Sequence, residues 1–218
     1  SYNDRNYEDP SKSFAGLYAV MLCSYMILNI FRIVLWIMIE LIAKKTFIGM
    51  REPGRFQFHE SSYNQRWELY QHAITVREIG KLTMLDFIGG TPFIASFFRL
   101  LGCKIGRDCC LYPHGGDPYM SEPDLVEYGD RCVLDTGSAV CHLNTRGNFE
   151  LKRISMANNV TLRCRSRIQQ GVHMENNSML LEKGLVLTGE IVEADSVWQG
   201  APAARLFSYD NSSITSLN

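Results

Sequence analysis

The chain has 218 residues, 46% of them hydrophobic and 21% charged, enough to bury one substantial core or a small domain together with a membrane element. Twenty-two Lys and Arg against 23 Asp and Glu leave a formal net charge of -1, so no whole-protein field draws the chain to nucleic acid. Seven cysteines, an odd number in which only Cys109 and Cys110 adjoin, argue against the even framework of a disulfide-stapled secreted domain and for reduced thiols in a cytosol-facing compartment.

Residues 1–14 are a polar segment that begins without Met and lacks the basic-then-apolar order of a signal peptide, as a piece of a longer polypeptide would. Residues 15–45 are the most apolar stretch, interrupted by Asn29, Arg32 and Glu40 and closed by Lys44 and Lys45. About 20 apolar residues cross a hydrocarbon core, so a membrane-spanning helix is predicted, with the basic pair placing the next segment on the cytoplasmic side. The competing reading is a buried or interfacial helix, because a charge deep in lipid costs about 2.5–3.5 kcal/mol on insertion scales.

Residues 46–101 read as a linker with short helices. Pro53, Gly54 and the phenylalanines at 47, 56 and 58 give residues 46–63 the composition of a loop lying on another surface. Trp67, Tyr70, Ile74, Ile79 and Leu82 recur at near-helical spacing and predict a helix over 64–85. Pro92, just after Gly89, Gly90 and Thr91, opens a second short helix through Leu101 that packs on the repeat domain or faces the membrane.

The decisive pattern lies in residues 102–203. Every sixth residue from Met156, namely Met156, Leu162, Ile168, Met174, Leu180, Val186, Val192 and Trp198, is apolar. In one chosen frame such a run arises by chance about twice in a thousand. Four residues after each lie Val160, Ser166, Val172, Ser178, Gly184, Glu190 and Ser196, all small but Glu190. Neither the helical period of 3.6 nor the strand period of 2 gives this recurrence. A parallel β-helix with one flat side per hexad does: the large residue fills the interior and the small one sits at the corner. Earlier hexads lead to Leu111, Leu134 and Val140 in shifted frames, so residues 113–127 and 142–155 interrupt the coil as loops, on the face where solenoids commonly bind. Residues 204–218 form a tail.

IGRD at 105–108, YGD at 128–130 and TGEIVEADSVWQGAPA at 188–203 resemble hexapeptide-repeat acyltransferases. Residues 89–108, SEPDLVEYGDRCVL at 121–134 and the final motif are similar to the C-terminal membrane-associated region of nonribosomal-peptide-synthetase-like proteins, typified by the ε-poly-lysine synthetase. The resemblance implies a left-handed β-helix, tandem sister domains or a homotrimer, and an upstream carrier domain. It also implies amide-bond formation from an acyl donor linked to phosphopantetheine or CoA, with no tightly bound cofactor and no nucleic acid. The expected placement is at a membrane, with the β-helix facing the cytoplasm.

Aminolysis of a thioester needs a base, and His is the usual one near neutral pH. His142 stands where the resemblance places a His before a variable loop, and it is the catalytic candidate; the plainer alternative is a structural His. Glu122 and Asp124, in the first loop, are expected to orient that His or bind the attacking ammonium, although such an Asp also caps turns. Substrate contacts are expected from His114, Asn144 and Arg146, and from Arg163 and Arg165, which with Arg167 could meet a pantetheine phosphate or form a solvated rung. His173 is a weaker candidate, His59 and His72 read as surface or packing residues, and Cys141 as packing. Asn144, Arg146 and Glu150 match the resemblance only approximately, which leaves open a degenerate, noncatalytic scaffold tethered to the membrane. A γ-type carbonic anhydrase would need three His ligands, and the repeat holds no close His pair.

Overall fold

The computed structural model describes residues 10–75, 88–113 and 120–208. Helix α1 (Pro10–Ala43) continues through a π-helical turn, Lys44–Ile48, to Gly49. Over Phe14–Ile48 it is long and apolar enough to cross a membrane, with Phe14, Leu22, Leu28, Phe31 and Leu35 among its exposed side chains. Its C-terminal half carries one packed stripe: Ile33, Trp36, Ile37 and Leu41 meet the core, and Glu40 is buried on that side. Tyr70 donates to the Glu40 carboxylate at 3.4 Å, so the charge that weighed against a span faces protein. Lys44 likewise departs from the expected headgroup anchor, because it is buried in an ion pair while Lys45 stays exposed.

Residues 46–63 are more ordered than their composition predicts. They contain strand β1 (Gly54–Gln57) and lead into helix α2 (Ser62–Thr75), which begins two residues before the predicted start; the rest of the helix expected to residue 85 lies outside the described residues. Helix α3 (Pro92–Leu100) has Pro at its first position, as expected. It buries Ile94, Ala95, Phe97 and Phe98 on the first turn of the repeat domain.

That domain starts with β2 (Lys104–Ile105) and β3 (Cys110–Leu111), then β4 (Val126–Tyr128), β5 (Val133–Leu134) and β6 (Ser138–Val140). Strands β7 (His142–Thr145) and β8 (Asn148–Leu151) stand aside from the coil. It resumes with β9 (Ile154–Met156), β10 (Thr161–Leu162), β11 (Arg167–Gln169), β12 (His173–Met174), β13 (Met179–Leu180), β14 (Leu185–Val186), β15 (Ile191–Val192), β16 (Ser196–Gly200) and β17 (Ala203–Ser208). Three sheets form: β17-β16-β13-β10-β5-β3, β14-β11-β6 and β15-β12-β9-β4-β2. From β4 to β16 the coil strands visit the three in rotation, and partners are parallel and one full circuit apart, as in Thr161 with Met179 and Met179 with Val197, while β17 returns antiparallel to β16. The coil is a three-sided prism with one hexad per side.

The hexad residues do what their period requires. Met156, Leu162, Ile168, Met174, Leu180, Val186 and Val192 are buried in one column-filled core, and Trp198 packs half-buried on its end. Each such burial stabilises the fold by about 1.5–3 kcal/mol. A further register sets the corners: Asn159, Arg165, Gly171, Asn177, Lys183, Gly189 and Asp195 all have left-handed φ, between 53° and 76°. The next residue is the small one, and the hydroxyls of Ser166 and Ser178 donate back to carbonyls of Arg163 and Glu175 at 2.6 Å. Coil stacking is tight enough to demand glycine at Gly106, where a Cβ would sit 2.4 Å from the Gly129 carbonyl oxygen.

The two interruptions fall on the same region. In the first turn no strand on the third side stands between β3 and β4 among the described residues, while after β6 the β7–β8 hairpin leaves the coil. Arg146 and Gly147, with φ of 49° and 75°, form the two-residue turn between strands that pair from His142–Leu151 to Thr145–Asn148. Residues 142–151 are therefore a hairpin rather than the expected loop, and β1 adds to it antiparallel, Gly54 opposite Leu151 and Gln57 opposite Asn148.

Candidate functional site

The site forms where the first insertion, the hairpin and α2 meet. A short 3-10 turn, Pro123–Leu125, turns the first insertion back into β4 and leaves Glu122 and Asp124 buried on either side of its start. His142 begins β7 immediately after the buried Cys141. Its Nδ1 lies 2.9 Å from Glu122 Oε1, with the carboxylate side chain fully buried and the imidazole 16% exposed. Trp67 of α2 donates its indole N–H to that same oxygen at 2.9 Å, and the Cys141 backbone N–H donates to Oε2 at 3.3 Å. Held by these contacts, the Glu122 carboxylate fixes the orientation of the imidazole. The ring is held flat against Phe149 at 5.6 Å between centroids and edge-on to Trp67 at 5.0 Å.

Asp124 does not reach His142. Its Oδ2 accepts from the Arg51 backbone N–H and its Oδ1 from Arg51 Nη1, both at 2.7 Å, while Lys44 Nζ lies 3.2 Å from Oδ2. The carboxylate thus ties the end of α1 and the segment after it to the repeat domain. Burial alone would depress the Arg51 pKa, but the field of Asp124, with Tyr63 and Glu122, raises it, so the guanidinium stays charged. Cys141 is packing, as its sequence context suggests: burial, and after it the field of Glu122, pushes its thiol well above the ordinary 9.0.

The other sequence candidates are spread out. Asn144, on the strand that begins with His142, and Arg146, in the turn after it, are exposed near the tip of the hairpin. Arg163 follows β10 and pairs with Glu182 at 2.9 Å; Arg165 occupies a left-handed corner; Arg167 lies in β11, on a different side of the prism. The three do not share one face. His173 projects from β12, where Ser155 Oγ lies 2.6 Å from its Nδ1. His72 contacts the Glu68 carbonyl through Nδ1 at 2.8 Å. His114 lies outside the described residues. Among the described residues no group of three or more His, Cys, Asp or Glu could hold a metal ion.

The sequence did not single out Arg51, Trp67, Tyr63 or Phe149, which surround the His–Glu pair. Trp67 reads locally as helix core, and only pairing over long sequence separation brings it to Glu122. The hairpin had a usable signal: Asn144-Thr145-Arg146-Gly147-Asn148 is a short turn flanked by alternating residues.

No protein-family model matches the chain. Among solved structures it is similar to a hexapeptide-repeat acetyltransferase of Vibrio cholerae, with TM-score 0.42 and 15% identity over 55% of this chain and 81% of that one. It is similar also to a maltose O-acetyltransferase of Clostridium difficile, with TM-score 0.42 and 11% identity over 54% and 75% of the two chains. A galactoside acetyltransferase in complex with coenzyme A gives TM-score 0.40 and 15% identity over 55% and 72%. The six-residue register and the stacked parallel sheets define the repeat domain as a three-sided hexapeptide-repeat coil. In sequence the chain is similar to a delta-poly-L-ornithine synthetase of Acinetobacter baumannii, 32% identical over 120 residues, which are 55% of this chain and 9% of the synthetase. The matched stretch is thus a small part of that relative's length.

Proposed function

We propose that this chain is an acyl-transfer domain of a larger membrane-bound synthetase and forms an amide bond between an aminoacyl thioester and an amine. The observation that carries the reading is the buried Glu122 carboxylate holding His142 Nδ1 at 2.9 Å between the two insertions of an acyltransferase-type coil. With Nδ1 so engaged, Nε2 is the nitrogen that takes the proton from the attacking amine. The amine nitrogen bonds to the thioester carbonyl carbon, the carbon–sulfur bond breaks, and the departing thiolate recovers the proton from the imidazolium. Glu122 is the positioning carboxylate of this scheme, and Asp124 holds the surrounding structure in place.

Asn144 and Arg146 on the hairpin, with Arg163 and Arg165 on the coil and His114 in the first insertion, are the proposed substrate contacts. The donor is a thioester of phosphopantetheine or CoA, presented by a carrier domain. The coil winds left-handed and packs with sister domains or in a homotrimer, and α1 spans the membrane with the β-helix on the cytoplasmic side. The proposed divisions are residues 1–14, 15–45, 46–101, 102–203 and 204–218.

A membrane-tethered scaffold without catalysis is the second reading, favoured by the close packing of His142 between Trp67 and Phe149. Replacement separates the two. His142→Ala is expected to slow amine-dependent consumption of an aminoacyl thioester by about a hundredfold or more, the usual contribution of a general base. Turnover equal to that of the unsubstituted protein removes His142 from the chemistry and leaves the scaffold.

A further inference from the structure

The coil stacks two thiols in register at its first corner. Cys110 and Leu111 of β3 pair with Val133 and Leu134 of β5, and the Cys110 N–H donates to the Cys132 carbonyl at 2.9 Å, so Cys109 and Cys132 hold the same position on successive rungs. Val160, Ser178 and Ser196 continue that column on later rungs. Rungs of a sheet lie about 4.7–4.9 Å apart, inside the span of about 4.4–6.8 Å between Cα atoms that a disulfide bridges. Cys132 is fully buried, whereas Cys109 heads the column, beside the first strand of its sheet, and is half-buried.

Cys109 borders a cleft of about 270 Å³ between α3 and the first turn, lined by Thr91, Ala95 and Arg99 on the helix side and by Asp108, Cys109 and Cys110 opposite. Arg99 is fixed over it by donating to the Ile105 and Gly106 carbonyls at 3.1 Å and 2.7 Å. A side-chain hydrogen bond from Cys132 lowers the Cys109 pKa below the ordinary 9.0 and outweighs burial, with the field of Arg99 acting in the same direction. The same contact, followed by burial, raises the Cys132 thiol. An ionisable thiol at a solvent cleft, backed by a protonated and enclosed one, is the arrangement of an attacking and a resolving cysteine. Cys110 lines the same cleft but stacks on Val133, so the next rung offers it no second sulfur.

We propose that Cys109 and Cys132 are a site of reversible oxidation, at which a hydroperoxide entering the cleft beside α3 converts the two stacked thiols to a disulfide. The Cys109 thiolate attacks one peroxide oxygen, the O–O bond breaks, and the new S–O bond gives a sulfenic acid while the departing hydroxide takes up the proton that Cys109 released. Cys132 sulfur then displaces the hydroxyl from Cys109 sulfur, the S–S bond forms, and the Cys132 proton leaves with that hydroxyl as water. Two thiols are oxidised and one hydrogen peroxide is reduced to two waters; a thiol reductant restores the pair. The corner lies between the sides that carry β4 and β5, whereas His142 follows β6, so the oxidation site shares no residue with the acyl-transfer one.

The test treats the full chain in detergent micelles with hydrogen peroxide, blocks the remaining thiols with iodoacetamide and maps the cysteines by peptide mass. The expected product is a Cys109–Cys132 cross-linked peptide that dithiothreitol removes, formed at least about tenfold faster than Cys110 or Cys164 is oxidised. In Cys132→Ala the sulfenic acid has no resolving thiol, and dimedone is expected to label Cys109. In Cys109→Ala, Cys132 is expected to stay reduced. Should a variant fail to fold, the map of the unsubstituted chain decides. Absence of the cross-link, a cross-link from Cys109 to Cys110, oxidation of Cys109 no faster than that of Cys110 and Cys164, or no dimedone label on folded Cys132→Ala overturns the proposal.

Discussion

Asp124 is the contact between two cations that come from outside the repeat domain and the turn that leads into β4. Removing one member of a buried ion cluster leaves the others uncompensated, at a cost of about 3–5 kcal/mol. Asp124→Ala is therefore expected to lower the unfolding free energy of the detergent-solubilised protein, measured by denaturant titration, by that amount, whereas Arg163→Ala, which breaks an exposed pair with Glu182, changes it by less than about 1 kcal/mol. Similar losses in the two variants would contradict the buried cluster. Titration at the alkaline end gives a second check. Burial raises the Cys103 and Cys141 thiols well above 9.0 and the Tyr128 hydroxyl well above 10.0. Above about pH 9 the unfolded chain has lost protons that the folded chain still holds, so stability is complete below that pH and falls as the pH rises toward the folded-state values. Unfolding measured from pH 7 to 10.5 is expected to show this decline, and Cys141→Ala to make it shallower; a flat profile would refute it. At this scale His142 and Glu122 were legible because each belongs to an ordered motif. Arg51 was not, since nothing in the local text around Pro53 tells that its side chain enters the interior.

Each corner of the prism takes a left-handed backbone, and the residues there are Asn, Asp and Gly in five of the seven cases from Asn159 to Asp195. Asn177 adds a ladder, accepting from Asn159 Nδ2 at 2.9 Å and donating to Asp195 at 2.8 Å. Asn177→Val should cost about 1–2 kcal/mol from the strained backbone alone, since a left-handed φ crowds Cβ against the next carbonyl. A thermal scan of the variant checks this, and an unchanged transition temperature would mean the corner relaxes. The six-residue register was readable because it repeats through eight interior positions, and repetition makes the same packing demand visible many times. Strand β1 was unreadable for the opposite reason: Gly54–Gln57 owes its extended form to a hairpin about ninety residues later, and no local preference marks it.

Over the whole molecule, the apolar surface is concentrated on α1, while the prism buries its bulky residues inside. Leu22, Ile27, Leu28 and Phe31 stay bare around the helix, an area that lipid can cover. The chain is expected to remain with membranes in high salt and alkaline carbonate and to be released by detergent; release by salt alone would contradict a spanning α1. The long apolar helix and the solenoid were both evident from composition and period. Their joint was hidden, because it depends on Glu40, Lys44 and Arg51 facing partners far along the chain.

At the other end of the solenoid, β17 turns back and runs antiparallel along β16, with a register irregularity between Val197 and Trp198. A stack of parallel rungs would otherwise offer its last backbone row as a template for the first rung of another molecule. On the longest of the three sides that row is already occupied. Cutting the chain after Pro202 should uncover it and let molecules join head to tail into filaments, which electron microscopy would reveal.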